Sequence, residues 1–117
     1  MEGSAKEKSY RFALRIIKLC KYIQTNHKEY IITKQLFRSG TSIGANLSEA
    51  VYAQSKADFI SKNSIALKEA AETRYWINLL YDSDYLNKAQ FESIKADADE
   101  LIKMLTSIVN TSKNSIK

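Results

Sequence analysis

A run of 117 residues without a single proline, and with only three glycines, leaves the backbone few places to turn sharply. Proline and glycine are the main punctuators of tight turns, so their scarcity works against sheet meanders and in favour of long uninterrupted helices. The apolar residues agree, because they recur at intervals of three and four, the period of one helical face.

Phe12, Ile16, Leu19 and Ile23 mark the core stripe of a first helix over about 6–26. Tyr10, Leu14 and Ile17 repeat at the same period on another side, so this helix carries more apolar surface than one core stripe uses. It is either deeply enclosed or it meets a second molecule, and Tyr10, Leu14 and Ile17 are the candidate oligomer interface. Leu36, Gly40, Ile43, Leu47, Ala50 and Gln54 predict a second helix over about 32–53. Gly40 and Gly44 stand inside it beside Ser39, Ser42 and Ala45. Each mid-helix glycine costs about 1 kcal/mol against alanine, so a neighbouring helix is expected to cross there at close backbone distance.

Ser55 followed by Asp58 reads as a helix start, and Phe59, Asn63, Ala66, Ala70, Thr73, Ile77 and Leu80 carry a third helix over about 56–82. Asp82-Ser83-Asp84 interrupts the pattern. Asn87 and Gln90 offer a capping box for a fourth helix over about 87–111, with Phe91, Ile94, Ala98, Leu101, Leu105 and Ile108 inward and a fraying tail from Ser112. Loops of about 2 to 6 residues favour antiparallel neighbours. The expected fold is all-α, an antiparallel up-down-up-down four-helix bundle that occupies 1–117 as a single domain.

Apolar residues make up 44% and charged residues 26%, the balance of a folded globular chain, and no apolar run approaches the roughly 20 residues of a membrane span. The polar start, Met1 to Lys8, lacks the apolar segment of a secretion signal, so a cytoplasmic location without membrane contact is expected. Cys20 is the only cysteine and sits among Ile16, Leu19 and Ile23, which suits a small buried apolar group. The formal charge of +5 is unevenly placed: residues 1–54 hold nine Lys/Arg against four Asp/Glu, and residues 55–117 hold nine of each.

Catalytic and metal chemistry find little to work with. A di-iron bundle site needs two Glu-x-x-His elements and two further Glu, and His27 is the only histidine; Glu69 and Glu72 have helical spacing but no histidine near them. No metal and no cofactor are expected. His27 is better placed to close the first helix at the negative end of its dipole. The serines have no histidine arranged as a base, and no glycine-rich phosphate loop exists, so no enzyme is expected. Lys8, Arg11, Arg15 and Lys18 follow one another at 3, 4 and 3 residues with Lys21 nearby, a line of cations that is either a solvated face or a nucleic-acid-binding strip. Arg38, Ser42 and Glu49, with Asn46 beside them, put polar groups on a small-residue helix, where hydrogen bonding across a helix or subunit contact is the expected use and a ligand site the lesser one. Tyr75 and Trp76 fit core or interface better than base stacking.

Residues Gln35 to Ala50, with Arg38, Ser39, Ser42, Asn46 and Glu49 in register, resemble the central motif of the four-helix bundle family of bacterial 23S rRNA intervening-sequence proteins, some of them labelled ribosomal proteins. That motif reads approximately Gln-Leu-x-Arg-Ser-x-x-Ser-Ile-x-x-Asn-Ile-Ala-Glu-Gly. Ser55, Asp58 and Phe59 match its next element, Ala66 to Glu72 and Leu79 to Leu86 fit the following helix and turn, and the similarity spans Tyr10 to Val109. Leu47, Ser48 and Ala50 depart from the usual Ile, Ala and Gly. The family also includes the accessory variability protein of diversity-generating retroelements, a basic pentameric barrel that binds a reverse transcriptase and nucleic acid. The resemblance implies a homopentameric barrel here. The expected function is a non-enzymatic homo-oligomeric bundle that binds RNA or DNA through the basic face of Lys8, Arg11, Arg15, Lys18 and Lys21. The alternative is a protein-interaction scaffold, or an accessory subunit of a nucleic-acid enzyme such as a reverse transcriptase.

Overall fold

In the computed structural model, which describes residues 3–115, the chain turns helical where polar side chains satisfy the first free backbone N–H groups. Ser4 and Glu7 form a capping box at the start of α1 (Ala5–His27), and Asn87 and Gln90 form another at α4 (Lys88–Asn114). The Ser55 hydroxyl accepts from the Asp58 N–H at the start of α3 (Lys56–Asp82). A different device opens α2 (Ile32–Ala50): the buried Glu29 carboxylate accepts from the N–H groups of Ile31, Ile32 and Thr33 at 2.9, 2.8 and 2.9 Å. Burial by itself would raise the Glu29 pKa, but the backbone donors of Ile32, Thr33 and Ile31 outweigh it and hold the carboxyl below its ordinary range.

Turns that would usually take glycine are made by Lys28 at φ 55° and Asp84 at φ 68°, and no described glycine has a positive φ. The helical glycines serve packing instead. A Cβ at Gly40 would stand 2.8 Å from Ile16 Cγ2, and one at Gly44 would stand 3.1 Å from Ser9 Oγ, so α1 lies directly on the backbone of α2. This is the close crossing that two glycines in one helix require.

Paired positions run in opposite directions along every neighbouring pair. Ile16 faces Gly40 while Ser9 faces Gly44. Arg38 reaches Glu72 while Glu49 reaches Lys62. On the last seam Lys8 reaches Glu100 and Arg15 reaches Asp97. Each helix touches two neighbours and none touches the one diagonally opposite, which makes an antiparallel up-down-up-down bundle of 49 × 24 × 22 Å. Phe12, Ile16, Ile23, Leu36, Ile43, Ile77, Leu80, Leu101 and Leu105 fill its centre at 0–1% exposure. Among the described residues no buried side-chain nitrogen or oxygen lacks a hydrogen-bond partner. The seam between α1 and α4 is the least packed of the four.

Element ends differ from the sequence expectation in five places. The first helix gains one residue at each end, Ala5 and His27. The second stops at Ala50 rather than Ala53: Tyr52 and Ala53 donate to the carbonyls three residues back, and the Gln54 N–H turns to Asp58 Oδ2, so Gln54 belongs to the entrance of α3 and not to a core stripe. That leaves Val51 and Tyr52 exposed. The fourth helix begins at Lys88 with Asn87 as its cap, and it continues to Asn114 with Ser112 buried, because Val109 and Ser112 extend the inward stripe by another turn. Of the tail expected to fray, Ile116 and Lys117 lie outside the described residues.

The Glu29 cap generates a pH prediction. Its folded pKa is depressed, so its stabilisation is complete above the unfolded carboxylate value of about 4.3 and disappears as pH falls through the lower folded value. Glu29→Gln is expected to lower stability by about 1 kcal/mol at neutral pH. In urea titrations, the gap between the two proteins should close as the solution is acidified through that window. A gap that stays constant down to the acid limit of folding contradicts the role given to the charge.

Candidate nucleic-acid and assembly face

All five cations of the basic line fall on α1, but they do not share one environment. Lys8 and Arg15, two turns apart, face the α4 seam. Lys8 Nζ reaches Glu100 Oε2 at 3.1 Å with its side chain 17% exposed. Arg15 pairs with Asp97, and its second terminal nitrogen donates to Ser93 Oγ at 2.8 Å. Arg11, Lys18 and Lys21 are exposed and have no ion pair among the described residues. Spacing along α1 could not separate these two groups, because the distinction depends on where α4 lies.

Around the helix from Arg11 and Lys18, the second apolar stripe opens onto a groove of about 970 Å³ between α1 and α2. Tyr10, Leu14 and Ile17 form its α1 wall, and Thr41, Gly44, Ala45 and Ser48 line the α2 side. Tyr10 is 68% exposed and Leu14 49%. The groove exists because the α2 side chains facing it are small, so nothing from α2 covers the stripe. Lys6 and Arg11 also line it; Lys6 had no place in the spacing of the basic line. A contiguous apolar surface edged by charge is the usual form of a contact site for another macromolecule.

The motif residues of α2 face the other way, toward α3. Arg38 pairs with Glu72 and lies 3.4 Å from Glu69 Oε1, while Glu72 also accepts from Trp76 Nε1 at 3.0 Å. The Trp76 and Arg38 donors hold the Glu72 carboxyl below its ordinary range, and Glu72 in turn raises the Arg38 guanidinium. The Ser39 hydroxyl is buried 2.9 Å from the Thr73 hydroxyl. Ser42 donates to the Arg38 carbonyl at 2.6 Å, Asn46 to the Ser42 carbonyl at 2.9 Å, and Glu49 meets Lys62 at 3.1 Å. These contacts all lie within one chain and tie α2 internally and to α3. Tyr75 is 57% exposed and sits edge-on to Trp76 with ring centroids 4.9 Å apart.

The one cysteine and the one histidine both lie on α1. Burial, with Glu29 nearby, pushes the Cys20 thiol up to about 12. His27 packs edge-on against Tyr85 at 5.5 Å. Among the described residues no three His, Cys, Asp or Glu side chains are grouped to hold a metal ion, and no helix is long and apolar enough to cross a membrane.

The single tryptophan reports on the Arg38 cluster. Glu72→Ala removes the acceptor of the indole N–H and the partner of Arg38. The expected outcome is a shift in native Trp76 fluorescence with a stability loss of about 1 kcal/mol, the scale of one lost hydrogen bond. An unchanged emission spectrum contradicts the assigned geometry.

A family model described as 23S rRNA-intervening sequence protein matches residues 2–107. No curated protein matches the sequence. A crystal structure of a protein of unknown function from the S23 ribosomal protein family of Bacteroides thetaiotaomicron superposes with a TM-score of 0.88 at 52% identity, covering 90% of this chain and 97% of that one. With the four-helix fold, the α2 motif and the family match in agreement, the chain belongs to the 23S rRNA-intervening sequence protein family.

Proposed function

We propose that this protein is a non-enzymatic homo-oligomeric bundle, a homopentamer by resemblance, that binds RNA or DNA through the basic side of α1. The observation that carries the reading is the exposed trio Arg11, Lys18 and Lys21 beside the uncovered apolar groove. An exposed cation without a carboxylate partner gains from a phosphate contact chiefly by releasing condensed counterions, and several copies of α1 in one assembly multiply that gain. The remaining excess of positive charge in residues 1–54 adds a long-range attraction for the same ligand. The groove supports self-association, since a second copy seated on Tyr10, Leu14 and Ile17 would cover surface that a single chain leaves wet.

The same groove favours a second reading, a scaffold whose walls receive a different protein, for instance a nucleic-acid enzyme. In that case the cations near the groove would serve encounter with the partner rather than a nucleic acid.

Fluorescence anisotropy with a labelled RNA duplex and a labelled DNA duplex between about 50 and 200 mM salt separates the two. The nucleic-acid reading predicts affinity that falls steadily with salt, and a loss of about tenfold or more in a Lys18→Glu/Lys21→Glu variant. No binding to either duplex at the lowest salt would leave the scaffold reading in its place.

A further inference from the structure

Two of the five cations on α1 are already answered from inside the molecule. Lys8 meets Glu100, and Arg15 is gripped by Asp97 with Ser93 as a second acceptor. These contacts bridge the seam where α1 and α4 pack least. Arg11 and Lys18, which have no ion pair among the described residues, alternate with Lys8 and Arg15 along the helix, so the four form one continuous line nearly three turns long. A carboxylate on a guanidinium uses the donors and the charge that a phosphate would use. We infer that Asp97 and Glu100 are internal phosphate substitutes, which mask Arg15 and Lys8 so that a nucleic acid must displace them to engage the whole line. This inference rests on the nucleic-acid reading above and specifies how that same face is attenuated.

The geometry makes the mask exchangeable. Arg15 and Asp97 keep side-chain exposures of 42% and 41%, whereas in the other pair Glu100 keeps 46% and Lys8 only 17%, so the Arg15 pair is the readier to exchange. Ion pairs this open to water hold only weakly, so a polyanion that offers several acceptors in a row can replace them. Ser93 places a hydroxyl and a carbonyl on Arg15 at 2.8 and 3.4 Å, which keeps the guanidinium beside α4 when the strip is empty. Removing one carboxylate should therefore free one cation and raise affinity modestly, by roughly two- to fivefold.

The test is salt-titrated anisotropy on the RNA and DNA duplexes with wild type, Asp97→Asn, Arg15→Gln, the two combined, and Glu92→Gln. Glu92 is an exposed α4 carboxylate with no ion pair among the described residues, so its variant changes net charge by the same amount without freeing a cation. Asp97→Asn is expected to bind roughly two- to fivefold tighter, with a log–log salt dependence steeper by about 0.9 on DNA, the value for one added phosphate contact. The combined variant should bind no better than Arg15→Gln alone, and Glu92→Gln should gain less than Asp97→Asn. Equal gains in Asp97→Asn and Glu92→Gln, or a gain that survives the loss of Arg15, overturn the mask in favour of net charge. Tighter binding by Arg15→Gln itself points to a loosened seam and also overturns it. Wild-type binding with an unchanged Asp97→Asn sinks this inference alone, whereas failure of every variant to bind sinks the nucleic-acid reading with it.

Discussion

The approach of α1 to the bare backbone of α2 sets the geometry from which the rest follows. Ile16 occupies the space a side chain at Gly40 would need, and Ser9 does the same at Gly44. That contact seats the inner stripe of α1, Phe12, Ile16 and Ile23, deep in the core. It also fixes the rotation of α1, and with it the fate of every other residue on that helix. Tyr10, Leu14 and Ile17 are turned to a groove lined on the α2 side by small residues, Lys8 and Arg15 are turned to α4, and Arg11, Lys18 and Lys21 are left to solvent. Larger residues on α2 would cover the groove or push α1 away, and the three faces would not coexist.

The polar architecture divides along the same lines. Between α2 and α3, Arg38, Glu72 and Trp76 form a closed network in which each group satisfies another, with Ser39 and Thr73 buried beneath it. Such a network fixes the register of two helices. Between α1 and α4 the side-chain contacts include the ion pairs of Lys8 with Glu100 and Arg15 with Asp97, and the helices pack less. The α2–α3 side is therefore the more tightly joined of the two.

Much of the fold was legible because its signals are local. Periodicity identified all four helices, and Ser55 and the Asn87–Gln90 pair marked two starts that depend only on residues three apart. The Gly40 and Gly44 pair announced a close crossing, though not which helix would supply it. The Glu29 cap was hidden, since a glutamate that reaches forward to three N–H groups follows no common capping pattern. The early end of α2 was hidden as well: Ala50 to Ala53 are compatible with a helix, and the competing bond from Gln54 to Asp58 decides the matter. At the candidate site the five cations could be enumerated from α1 alone. Which of them pair inside the bundle depends on contacts 82 and 92 residues away along the chain, at Asp97 and Glu100.

The central claim is that the α1–α2 groove carries apolar surface meant for another copy of the chain, and that assembly turns a short run of cations into an extended basic surface. Sedimentation velocity of the purified protein at micromolar concentration and physiological salt addresses it without any ligand. The account predicts a discrete species several times the 13.3 kDa of one chain. A single boundary at the mass of one chain across the concentration range would contradict it.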